Sequence, residues 1–224
     1  MSYKENVVKK PWGYEYLVYE NNDIALWYLS IFKDQKTSMH CHPSKTTGLM
    51  VIDGNAEVSF LSNKINLKAP EKVMIRKGLF HSTRAVSSDL SIFEIETPVN
   101  KHDLVRLEDN YGRAGLPYEN ASKELPKADE YIWIDDPEKG SSYTYNFNGK
   151  KISVHHLTGV EQIQQLMNES IIHVMFLRGG LLTEYGVNVA GPGDIVAKDV
   201  LQRLLQVFHN VSDNTVVLLH EGDF

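Results

Sequence analysis

The chain has 224 residues, 42% of them hydrophobic and 23% charged, with a formal net charge of −6 when its nine His are counted neutral. That length supports one large β-domain or two small ones, and the acidic balance argues against nucleic acid or a membrane surface, both of which select basic faces. The single cysteine, Cys41, excludes an intrachain disulfide; with no apolar signal-peptide core at the N-terminus and no apolar run of bilayer length, the expected location is the cytoplasm.

In chain order, β-type runs rich in Val, Ile, Tyr and Phe occupy 14–20, 25–32, 47–52, 56–61, 73–76 and 90–96. Turn residues break them at Asn21-Asn22-Asp23, Asp53-Gly54-Asn55, Ser62-Asn63-Lys64 and Ser87-Ser88-Asp89. Such spacing predicts a sandwich or barrel. Gly54 between two apolar runs predicts a hairpin, because glycine supplies the positive φ of a primed turn. From about 100 the pattern lapses. His102–Leu107 reads as one short helical turn or an extended cover, and 111–130 is polar, carries two prolines and reads as a connector. Strand-like runs return at 143–149, 151–159, 171–179, 183–191, 194–199, 204–211 and 215–221. One helix over 159–170 interrupts them, with Val160, Ile163, Leu166 and Met167 on one face. Two strand sets of similar length predict an all-β duplicated barrel: a domain over 1–113, a connector over 114–130, and a second barrel over 131–224.

The chemistry concentrates in two segments. His40 and His42 are two apart, so on a strand both side chains point to one face. His81 follows a strand and Gly78, whose conformational freedom lets the backbone bend and aim the imidazole inward. Three neutral imidazoles meeting in one cavity suit a divalent ion such as Zn, Fe, Mn or Ni. Elsewhere His155 and His156 are adjacent and face opposite sides of a strand, while His173, His209 and His220 are scattered. The second half is therefore expected to bind no metal. There is no P-loop, dinucleotide fingerprint or Ser/His/Asp order, so nucleotide phosphoryl transfer and hydride chemistry find no support.

The segment from His40 to Gly54 and the one ending Gly78-Leu-Phe-His81 resemble the two motifs of the cupin superfamily. Lys10-Pro-Trp-Gly-Tyr-Glu15 resembles the opening of the type II phosphomannose isomerase (mannose-6-phosphate isomerase) cupin domain. Phe93–Glu96 with 102–113 resembles its closing segment, so the likeness covers about the first half. It implies a jelly-roll barrel, a divalent metal and a sugar-phosphate ligand, and together with the second strand set it implies an all-β bicupin of two jelly-roll β-barrels, the second one degenerate. Two positions depart from the pattern. The family's metal-binding glutamate falls on Thr47, and a position often occupied by Gln in the isomerases is His40. A three-His site with a neutral Thr47 hydroxyl beside it, open to a substrate oxygen, is the expectation.

An aldose–ketose isomerase needs a base to move a proton between carbons. Glu94 and Glu96 share a strand face and can supply it if that face is the interior; otherwise both point to solvent while Phe93 and Ile95 pack. Lys45 and Arg84 flank the His motifs, and with Arg113 they are candidates to hold a phosphate; the alternative is a solvated surface cation. Trp12 reads as a core or interface anchor. The expected function is a metal-dependent sugar-phosphate isomerase or epimerase in surface-polysaccharide precursor synthesis, working as a homodimer. The alternatives are a three-His iron dioxygenase and a non-catalytic sugar-binding or regulatory cupin.

Overall fold

The structure, a computed structural model, describes residues 7–113, 131–147, 149–168 and 170–222. The expected connector over 114–130 lies outside them. The chain separates into two compact units, Met1–Trp133 and Ile134–Phe224.

In the first unit β1 (Val7–Lys10), β2 (Gly13–Glu20) and β3 (Ala25–Ile31) form a meander, and β4 (Met39–Cys41) is short. β5 (Thr46–Phe60), β6 (Lys64–Lys68), β7 (Lys72–Ile75), β8 (His81–Thr97) and β9 (Val105–Glu108) complete the unit. All pairings are antiparallel, in the order β1-β2-β3-β8-β4-β9, while β5 pairs with β6, β7 and β8. The result is a sheet curled into a half-barrel around Trp12, Leu17, Trp27, Leu29, Leu49, Val51, Val58, Ile75 and Ile92. β3 is buried along its whole length. On its other side Tyr28 packs on the neighbouring Tyr16, and Tyr16 meets Tyr131 and Trp133, with ring centroids 5.0 Å apart for Tyr16–Tyr131. Those aromatic contacts carry the first unit past 131, where the sequence places the start of the second domain.

The Asn21 turn forms as the sequence suggests: the Asn21 side-chain oxygen accepts from the backbone N–H of Asp23 and Ile24 at 2.8 and 2.9 Å. The Asp53-Gly54-Asn55 signal does not make a hairpin. β5 runs straight through it, and β8 likewise runs through Ser87-Ser88-Asp89. The β5–β8 register shifts on both sides of Asp53, and residues 87–90 form the excursion on the β8 side. Gly54, at φ 87, sits against β8 so closely that a Cβ would come within 2.5 Å of the Asp89 carbonyl oxygen. These turn residues therefore bend two long strands at a bulge, as barrel closure requires.

The second unit contains β10 (Ser142–Phe147), β11 (Lys150–His156), α1 (Val160–Leu166), β12 (Ile171–Arg178), β13 (Leu181–Leu182) and β14 (Asn188–Ala190). It continues with β15 (Ile195–Ala197), α2 (Lys198–Leu205), β16 (Asn210–Val211) and β17 (Val216–Glu221). A five-stranded sheet in the order β10-β11-β17-β12-β15 accompanies a three-stranded one, β14-β13-β16. Leu157, Ile163, Phe176, Leu181, Leu201, Leu205 and Val217 belong to one apolar cluster. α1 occupies the expected place, whereas two strand expectations fail. Residues 183–191 are mostly turn, with only Asn188–Ala190 in a strand, and 204–211 begins inside α2. α2 is helical because Leu201 and Leu205 fall one turn apart on a buried face, while Asp199 and Arg203 pair across the exposed one.

Candidate metal centre and adjoining cavity

Strand pairing assembles the histidines. His40 on β4 is the direct partner of His81 on β8 and of Arg106 on β9, so three strands bring these residues side by side. Ring centroids lie 4.5 Å apart for His40–His81, 5.0 Å for His40–His42 and 5.8 Å for His42–His81. The turn before β8 is tied to the first motif, since Gly78 N–H, at φ 72, donates to the His42 carbonyl at 2.8 Å.

Each ring is oriented by a backbone carbonyl. His40 Nδ1 lies 2.8 Å from Ser38 O, His42 Nδ1 2.5 Å from Asp103 O and His81 Nδ1 3.0 Å from Leu79 O. A carbonyl only accepts, so every Nδ1 carries the proton and every Nε2 presents a lone pair. Burial is the main force keeping all three imidazoles neutral. His40 is held well below the usual range by burial and then by its two neighbours, and His81 is lowered to about 4 by the same leading cause. His42 is lowered by burial and then by Lys45, against the pull of Glu96. Nitrogen atoms of the three lie within 4.8 Å of one another, and the buried His42 Nε2 has no hydrogen-bond partner. Three neutral, pre-oriented donors with an orphaned nitrogen fit a divalent transition ion. The three residues can hold one.

Beside them β8 presents two carboxylates on the same inner face. Glu96, 3% exposed, accepts from Lys45 Nζ at 2.6 Å, and Lys45 is itself 1% exposed. Burial works against the Glu96 carboxylate, but Lys45, Lys101 and His42 together hold it below the usual range. Glu94 goes the other way, raised to about 8 by burial and then by the charge of Glu96. Lys101 Nζ reaches Glu15 Oε1 at 3.1 Å and lies 3.4 Å from the centroid of the Trp27 ring; Lys10 reaches the same Glu15 oxygen at 3.6 Å.

Of the candidates read from the sequence, His40, His42, Lys45, Glu94, Glu96 and Arg113 line one cavity, and His81 stands beside His40. Arg113 is aimed by Asp109, which accepts from its Nη2 at 2.6 Å. Thr47 is buried directly opposite Glu96 in the β5–β8 pairing, and its hydroxyl has no hydrogen-bond partner. Arg84 is elsewhere. It lies on the outer face opposite Glu57 and pairs with exposed Asp34 at 3.3 Å. Trp12 is both a core residue and part of the cavity wall.

Lys10, Glu15, Lys101 and Arg106 also line the cavity and were not singled out in the sequence. Nor was Asp103, whose carboxylate accepts from the N–H groups of Ser44 and Lys45 at 2.9 and 3.0 Å. The closing segment thus clamps the turn that follows His42. Glu15 gave one usable signal: a carboxylate inside a run of buried apolar residues has to be paired. In the second unit His173 and His220 are cross-strand partners with rings stacked 6.2 Å apart. Neither belongs to a group of three metal-capable side chains among the described residues.

Residues 2–109 match a family model described as mannose-6-phosphate isomerase C-terminal. A comparison with curated proteins finds no match. Among solved structures, KdgF from Halomonas sp. is 16% identical over 41% of this chain and 84% of its own, with a TM-score of 0.39. A cupin-2 domain containing protein from Shewanella frigidimarina is 24% identical over 40% and 83%, with a TM-score of 0.35. An RmlC-like cupin from the same organism is 12% identical over 44% and 87%, with a TM-score of 0.40. Likenesses at this level say nothing of the chemistry. Among the described residues no helix is long and apolar enough to cross a membrane. Residues 2–109, just under half of the chain, are thus similar to the mannose-6-phosphate isomerase C-terminal family.

Proposed function

We propose that the first unit is a metal-dependent enzyme of the isomerase or epimerase type, acting on a sugar phosphate or a related anionic sugar. The observation that carries this reading is the meeting of three neutral imidazole nitrogens with two carboxylates driven to opposite protonation states. A bound divalent ion would supply Lewis acidity toward the substrate's hydroxyl and carbonyl oxygens. Glu94, raised to about 8, can both take and return a proton near neutral pH, which suits it to move a proton between adjacent carbons. Lys45 keeps Glu96 ionised and orders that wall of the cavity. Arg113, fixed by Asp109, and Arg106 place cationic charge where an anionic group would be favoured.

A role in surface-polysaccharide precursor synthesis, a cytoplasmic location, a homodimeric state and a metal-free, barrel-like second unit belong to the same proposal; the pathway rests on the family relationship alone. The test is incubation of the metal-loaded chain with a panel of hexose and pentose phosphates in deuterated water. Deuterium entering the carbon next to the carbonyl supports the reading. Oxygen consumption would favour an iron dioxygenase instead, and tight sugar binding without exchange or turnover would favour a non-catalytic cupin.

A further inference from the structure

Thr47 stands where the family pattern has a carboxylate, yet the site does not lack one. Thr47 and Glu96 are directly opposed across the antiparallel β5–β8 pair, so their side chains leave the same face of the sheet. Glu96 Oε1 is 3.8 Å from His42 Nε2. Two donors that each sit about 2.1 Å from one ion can be at most about 4.2 Å apart, and this separation is inside that limit. Side chains whose ligand atoms lie within 4.8 Å of one another form two sets, His40–His42–His81 and His42–Glu94–Glu96, which share only His42, so sharing one ion requires the Glu96 side chain to swing toward His40 and His81 as the ion binds.

We propose that Glu96 is the carboxylate ligand of this metal centre, supplied from the strand opposite Thr47, and that Lys45 holds it ready in the metal-free protein. The proposal rests on the three-histidine metal reading and extends it. A carboxylate has two oxygens and about four lone-pair sites, so Glu96 can serve an ion while keeping its bond to Lys45. Loss of the carboxylate at position 47 is then a relocation, and the centre is three imidazoles and one anionic oxygen. Glu94, two residues back on β8, is left for proton transfer.

The test is Zn²⁺ titration of the full chain against a chromophoric chelator. Glu96→Gln should weaken binding by at least about tenfold, because an anionic ligand becomes a neutral one. Adding Thr47→Glu to that variant should restore affinity to within about threefold, by returning a carboxylate from the family's usual position. Wild-type affinity in Glu96→Gln overturns the proposal and leaves the three-histidine reading standing. A wild-type chain that takes up no metal overturns the three-histidine reading itself. Should Glu96→Gln fail to fold, a crystal structure of the Zn²⁺-loaded wild-type chain decides. A Glu96 oxygen about 2.0–2.2 Å from the ion supports the proposal, and Glu96 bound to Lys45 alone overturns it.

Discussion

Glu94 and Glu96 lie on one face of β8, two residues apart, and their surroundings drive them to opposite protonation states. Burial raises Glu94 first of all; Lys45, whose ammonium sits 2.6 Å from Glu96, stabilises the Glu96 charge, and that charge further disfavours a second one on Glu94. Replacing Glu94 by Gln should therefore lower kcat by about 10²–10⁴-fold while metal content stays at the wild-type level. The two readouts are turnover on the substrate identified by deuterium exchange and metal analysis of the same sample. An unchanged kcat would remove Glu94 from the proton path.

Asp103 should matter to the metal without touching it. Its carbonyl orients His42 and its carboxylate holds the N–H groups of Ser44 and Lys45. Asp103→Ala keeps that backbone carbonyl but releases the carboxylate ties that fix it in place, and is expected to weaken metal binding by about tenfold, the low end of the effect of disturbing a group that orients a ligand. It should also cost about 1–3 kcal/mol in unfolding free energy by leaving the buried Lys45 N–H unsatisfied. Chelator competition and chemical denaturation measure the two effects separately.

Arg113 is expected to act on the substrate only. Arg113→Ala should raise KM for a phosphorylated sugar about tenfold or more, the scale of a lost charge-assisted hydrogen bond. Metal affinity should not change. Arg84→Ala, which removes an exposed pair with Asp34, should leave both quantities alone.

The metal-free chain should lose stability in acid. His81 titrates at about 4 in the folded protein against an ordinary 6.5, and His40 and His42 are displaced in the same direction. Between those values the unfolded chain binds protons that the folded chain refuses. Unfolding free energy should then fall as pH drops from about 6.5 toward 4, by up to about 1.4 kcal/mol per pH unit for each such histidine, and be insensitive to these groups above that window. Urea denaturation of chelator-treated protein across pH 4–8 checks it. A His81→Gln variant should show a shallower slope.

Most of the site was legible because strand parity is a strict rule. His40 with His42, and Glu94 with Glu96, had to share faces once their segments were read as strands. The same rule counts against Arg84. Three residues beyond the inward His81 on the same strand, it had to face outward, as its exposed pairing with Asp34 reflects. What sequence could not supply was register. Glu15, Lys101 and Arg106 come from strands and loops far apart in the chain, and only pairing brings them to the histidines. The Gly54 and Ser87–Asp89 signals were read as chain reversals, because a bulge in a long strand uses the same residues as a tight turn. α2 was hidden by a run of Leu, Val and Phe that suits a strand as well as a short buried helix.

The most direct measurement is the metal content of the full chain, purified without chelator, for the wild type and for His40→Ala, His42→Ala and His81→Ala. The wild type should carry close to one divalent ion per chain, and each single variant should lose most of it. Full metal content in a variant with all three histidines replaced by Ala, or none in the wild type after loading, would contradict a metal centre at these three histidines.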